Sequence, residues 1–168
     1  MRTTIWAAAV AVGVLGLAGC GSDNGGSSSS SGSSSSSGAS GAVLSTADSS
    51  LGKIVVNGSG MTVYVFDKDS ANSGTSSCSG DCLANWPAVT ADSADPAVDG
   101  VNGDVATITR DDGTRQVTLD GLPLYTYAAA SQAGDVSGQG VKGVWWAVGP
   151  DGSKITTAAS APPSVSGY

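Results

Sequence analysis

The sequence predicts an all-β fold: a single compact β-sandwich or barrel-like domain made of two degenerate hairpin-containing repeats, carried behind a disordered linker. Three observations predict it. Short runs rich in Val, Ile, Thr, Tyr and Trp recur at close spacing between clusters of Gly, Asp and Pro. Apolar and polar residues roughly alternate within several of these runs, and no long stretch carries the 3.6-residue period of an amphipathic helix.

In chain order, residues 1–19 read as a lipoprotein signal peptide. Arg2 supplies a weakly positive start, Ile5 to Leu17 form an uncharged apolar run, and Ala18 and Gly19 are small enough for a peptidase site. The run is too short to span a bilayer comfortably, since that takes about 20 apolar residues. Leu17-Ala18-Gly19-Cys20 then reads as a lipobox, with Cys20 as the acylated N-terminus of the mature protein. One acyl chain gives only marginal membrane binding, whereas the several chains implied here anchor stably. The expected location is the extracytoplasmic face of the cell membrane, and the expected partners are the membrane, through the anchor, and an unidentified envelope component. Residues 20–42 carry Cys20 and a Ser/Gly tract in which nothing can bury enough surface to offset its ordering entropy. Such a tether of about 20 residues reaches roughly 25 Å.

Residues 43–168 are the folded body, one ordinary domain in size. Lys53 to Val56 and Met61 to Phe66 flank Asn57-Gly58, a hairpin signal. Val105 to Arg110 and Thr114 to Leu119 flank Asp111-Asp112-Gly113, and Asp120-Gly121 turns the chain into Leu124 to Tyr127. Val144 to Val148 and Ser153 to Thr157 flank Gly149-Pro150-Asp151-Gly152. Asp81 to Trp86 is expected as a short helical turn, and Ala128 to Lys142 as an irregular Gly-rich loop.

The chain carries a net charge of −7 and contains neither His nor Glu. Removal of residues 1–19 leaves six Lys and Arg against fourteen Asp. An acidic domain argues against nucleic acid as a partner. Lack of His removes the commonest general base and metal ligand. No nucleophile elbow, zinc motif or phosphate loop is present.

The body also echoes itself, in halves of about 51–90 and 104–150. Val55-Val56-Asn57-Gly58, Thr62 to Phe66 and Trp86-Pro87-Ala88-Val89 are answered by Val117 to Gly121, Pro123 to Tyr127 and Trp146-Ala147-Val148. Tyr64-Val65-Phe66-Asp67-Lys68-Asp69 fits a Y-x-[FWY]-x-x-D pattern. It is followed by Cys78 and Cys82, Trp86-Pro87, Thr109 to Val117, Gly121 to Tyr125, Gly134-Asp135 and Trp145-Trp146. That order of motifs resembles a bacterial family of predicted lipoproteins, the "secreted repeat of unknown function" group. The resemblance implies a surface or envelope lipoprotein and supplies no activity. The second copy departs from it, with Ala130 at the place of Asp69, so any role of this aspartate belongs to one half.

Tyr64 and Phe66 alternate with Val65 and so share one strand face, where core filling is the simplest role and an aromatic ligand platform the alternative. Asp69, past the strand end, is expected to accept backbone N–H bonds in the turn that follows. Cys78 and Cys82 form the remaining thiol pair once Cys20 is acylated, and outside the membrane a disulfide is expected. It closes a small loop worth roughly 2 kcal/mol. Asp67 to Asn72 only superficially matches a calcium loop, with Ala71 at a ligand position and no closing Glu, so no metal site is assigned. Trp145 and Trp146 are neighbours on a strand, so they point to opposite faces, and one of them is a possible binding surface. The expected function is that of a lipid-anchored envelope lipoprotein without known activity: a binding or structural module, no enzyme, with no catalytic residues and no cofactor. The competing reading is an extracytoplasmic redox or metal-handling protein using Cys78 and Cys82.

Overall fold

The structure, a computed structural model, describes residues 41–157. The expected signal peptide, Cys20 and nearly all of the expected linker lie outside the described residues.

Among the described residues are seven short strands, one short helix and one 3-10 turn. The strands are β1 (Leu44–Ser49), β2 (Gly52–Asn57), β3 (Tyr64–Phe66), β4 (Val105–Thr109), β5 (Arg115–Leu119), β6 (Leu122–Pro123) and β7 (Trp145–Ala147). They form three small antiparallel sheets, β1-β2, β3-β7 and β4-β5-β6. The fold is all-β, but the sheets do not close into a barrel. Helix α1 (Asp81–Asn85) and a 3-10 turn at Val141–Gly143 are the helical elements among the described residues. The helical turn expected from Asp81 is thus α1, and the irregular 128–142 loop ends in the 3-10 turn.

Turn chemistry sets the hairpins. Asp120 and Gly121 both have positive φ, 49° and 77°, the two-residue turn that matches strand twist, and β5 folds onto β6 through it. Gly113, at φ 83°, closes the β4-β5 hairpin expected from Asp111-Asp112-Gly113. Asn57 Oδ1 accepts the N–H groups of Ser59 and Met61, both at 3.0 Å, and so brings Thr62 back beside Val56. Strand β1 pairs with β2 along its whole length, from Leu44 opposite Asn57 to Ser49 opposite Gly52. Nothing in the strand signals above marked it.

The two halves are related by a pseudo-twofold axis and exchange their last segments. Val55 N–H donates to Val148 C=O (2.8 Å), Val148 N–H to Val63 C=O (3.3 Å), and Val63 N–H to Val55 C=O (3.0 Å). The second half repeats the ring: Val117 N–H to Val89 C=O (2.8 Å), Val89 N–H to Leu124 C=O (2.9 Å), and Leu124 N–H to Val117 C=O (3.0 Å). In each ring two members come from one half and the third comes from the other. At the axis Tyr64 and Tyr125 exchange both backbone bonds, at 2.8 and 3.0 Å.

Period-2 alternation then builds two cores, one on each face. Val55, Val63, Val65, Val117, Leu119, Leu124 and Val148 fill an aliphatic core with Leu44 and Val89. Their strand neighbours Ile54, Val56, Tyr64, Tyr125, Trp145 and Ala147 turn the other way and join Trp86 and Cys78 in an aromatic one. Both faces are covered, which is why runs such as Ile54-Val55-Val56 are continuously apolar. The buried residues of the two cores run from Leu44 to Val148, and the described residues packed against them extend this range to Val43 and Ile155.

Candidate functional site

The aromatic core is a column of four rings that crosses the pseudo-twofold axis. Phe66 stacks on Trp145 at 4.2 Å, Trp145 on Trp86 at 3.8 Å with 5° between planes, and Trp86 on Tyr127 at 4.4 Å. Tyr64 meets Trp86 edge-on at 5.4 Å, and Tyr125 meets Trp145 edge-on at 5.1 Å. Each ring thus has a counterpart: Tyr64 with Tyr125, Phe66 with Tyr127, and Trp86 with Trp145. The sequence echo that set Trp86 against Trp146 is therefore one residue out of register. Trp145 is the true counterpart, because it is the residue opposite Phe66 in the β3-β7 ladder.

Loops hold the column from both sides. Asp69 Oδ1 accepts the Ser77 N–H at 2.6 Å, as expected for a turn aspartate, while Oδ2 accepts the Tyr125 hydroxyl at 2.6 Å. The second bond ties the first half's loop to the second half's aromatic strand. Ser76 Oγ also lies 2.6 Å from that hydroxyl. Burial, and then the Asp69 carboxylate, push the Tyr125 hydroxyl well above its ordinary range. Tyr64 is held differently, as Ala130 at the matching position requires. Its hydroxyl accepts the Gly138 N–H at 3.2 Å and donates to Asp135 C=O at 3.4 Å, and burial raises it to about 12. Asp135 braces that loop through the N–H groups of Ser131 (2.9 Å) and Ser137 (2.7 Å), which lower its carboxyl to about 2.

Replacement of Asp69 by Ala takes a charged acceptor from a buried hydroxyl, at an expected loss of about 1–3 kcal/mol. In urea denaturation of Asp69→Ala, Tyr125→Phe and the double variant, the two changes should couple and cost less together than their sum. Additive costs would mean that the bond carries nothing.

Cys78 and Cys82 are bonded, with Sγ–Sγ 1.96 Å and Cα–Cα 5.3 Å. The bridge ties the segment before α1 to the helix's second residue, Cys82, whose C=O accepts the Trp86 N–H at 2.8 Å, so it fixes the approach of Trp86 to the column. The second half has Ser137 and Val141 at the matching places. There Gln139 does the fastening: its Oε1 accepts the Ala147 N–H at 2.8 Å and its Nε2 donates to Ile155 C=O at 2.7 Å.

Trp145 and Trp146 do point to opposite faces. Trp145 is 3% exposed within the column. Trp146 is half-buried against the aliphatic core, donates its indole N–H to Asp67 Oδ2 at 2.8 Å, and lies under Lys154 at 5.5 Å. Lys154 pairs with Asp67 at 2.6 Å. Burial opposes ionisation of Asp67, but the bonds from Lys154 and Trp146 outweigh it and hold the carboxyl below its usual range.

Along the column runs an open groove of about 420 Å³. Phe66, Trp145, Trp86 and Tyr127 line it, α1 borders it with Asp81, Cys82 and Asn85, and Lys68 and Lys142 flank it. Phe66 and Trp145 were singled out from sequence; Trp86, Tyr127 and the two lysines were not. The signal that finds the two rings is the repeat itself, once Trp86 is aligned with Trp145; the lysines stand against Ala129 and Leu83, and the repeat does not mark them.

Residues 45–90 and 106–149 each match the family described as a secreted repeat of unknown function, and together they take in more than half of the chain. The chain belongs to this family. Comparison with curated proteins and with solved structures gives no match. The two matched segments of the secreted repeat coincide with the two halves related by the axis, and the groove lies where they meet. A secreted family works on the extracytoplasmic side, where the Cys78–Cys82 bridge is stable.

Proposed function

We propose that this protein is a lipid-anchored, non-catalytic binding module on the extracytoplasmic face of the cell membrane, and that the groove on the pseudo-twofold axis is its binding surface. The observation that carries the reading is the open groove itself: four stacked rings, drawn from both repeats, end in a cleft of small-molecule size, for which roughly 300–1,000 Å³ is usual. The lipobox at Cys20 and the Ser/Gly tether behind it support the anchor, which would hold the domain within reach of envelope components. A chain without His or Glu, whose Asp67 and Asp69 carboxylates are engaged by Lys154 and Tyr125, favours recognition over chemistry.

Two measurements test the two parts. Cells fed an alkyne fatty acid should label the wild-type protein and retain it in the membrane fraction, and Cys20→Ser should abolish both; labelling that survives the substitution would end the lipobox reading. The chain from Gly21 onward should co-sediment with insoluble envelope polymer, and Asn85→Trp, which fills the groove from an exposed position at the end of α1, should abolish this. Unchanged sedimentation of Asn85→Trp would place binding elsewhere.

A further inference from the structure

Trp86 and Trp145 are 5% and 3% exposed, yet neither indole N–H donates to any acceptor among the described residues. No described side chain keeps a polar atom both buried and unpartnered, so the exposed sliver of each indole includes its N–H. Trp146, by contrast, spends its N–H on Asp67. The Cη2 end of Trp86 is turned toward Gly138, where a Cβ would stand 3.0 Å from it. Both tryptophans line the groove, stacked within 5° of parallel, so the two unpartnered donors belong to rings of its wall.

The lysines make a second, independent observation. Of the four in the chain, Lys53 pairs with Asp48 at 3.0 Å and Lys154 with Asp67 at 2.6 Å. The two without an ion pair among the described residues, Lys68 and Lys142, both flank the groove, where Asp81 is the single carboxylate. In a chain with fourteen Asp, this is a local excess of positive charge.

Indole N–H and lysine ammonium groups donate and never accept, so what they meet must be an acceptor, and an anionic one gains most. Building on the groove as binding surface, we propose that it recognises a carboxylate or phosphoryl group carried on a ring-sized body. The oxyanion lies between the two indole N–H groups and the two lysines, and the body packs on the aromatic wall.

The test uses the chain from Gly21 onward with ¹⁵N-labelled tryptophan, which gives one indole resonance each for Trp86, Trp145 and Trp146. Glucuronate and phenyl phosphate are titrated in, against glucose and phenol as neutral counterparts. At least one acid should move the Trp86 and Trp145 resonances saturably and leave Trp146 in place, while its neutral counterpart moves none. Which acid binds tells a sugar body from an aromatic one. Lys68→Gln with Lys142→Gln should raise the Kd about tenfold, the sum of two modest ion pairs. Equal response to acid and neutral counterpart, or no response to either acid, overturns anion recognition. Neither result touches the groove as a binding surface, which the Asn85→Trp sedimentation decides separately.

Discussion

Trp145→Ala should cost about 3–5 kcal/mol, the range for truncating a buried Trp, and a substantial part of a domain's usual stability of roughly 5–15 kcal/mol. The size follows from position. Trp145 is the second ring of the column, stacked between Phe66 and Trp86 and met edge-on by Tyr125, so its loss strips contact from three other rings at once. Its neighbour provides the control. Trp146→Ala removes a half-buried indole on the opposite face and should cost distinctly less. Urea denaturation gives both values, and near-UV circular dichroism should lose most of its aromatic signal only in Trp145→Ala. Equal costs for the two would mean that the column does not hold the halves together.

Gly138→Ala is the second large effect, with an expected loss of about 1–3 kcal/mol from overpacking. A Cβ at this position would stand 2.7 Å from Tyr64 Cζ and 3.0 Å from Trp86 Cη2, both buried in the aromatic core. Gly138 does not have the left-handed backbone that makes other glycines here hard to replace, so the cost isolates the close approach of the 128–142 loop to the rings. It should appear as a lower thermal midpoint together with a changed environment for Trp86 in its indole resonance. A wild-type midpoint would mean that the loop rides higher over Tyr64 than described.

Strand positions were legible wherever local turn chemistry and side-chain alternation agree. Asp120-Gly121 announces its hairpin because few residue pairs accept two positive φ values in succession, and Asp111-Asp112-Gly113 announces another. Strand β1 was not legible. Leu44-Ser45-Thr46-Ala47-Asp48-Ser49 has one large apolar residue, so its alternation has almost no amplitude, and its form comes from pairing with β2. Adjacent tryptophans on a strand had to face opposite ways, but the choice of which faces inward was made by a partner 79 positions upstream, where Phe66 stands opposite Trp145. The groove was hidden for the same reason. Periodicity says which side chains share a face; it does not say which distant strand supplies the ring that stacks on them. Only the internal repeat carried that information, and a one-residue slip in its alignment was enough to conceal it.

The exchange of end segments bears on how such chains come to be assembled. A lone copy would leave the Val55 N–H and the Val63 C=O facing water, and would extend its own Val89 segment toward a neighbour that is not there. Unpaired edges of that kind seek another strand, and the best-fitting one belongs to an identical molecule. The tandem chain is in this sense a strand-swapped dimer of its own repeat, closed within one polypeptide.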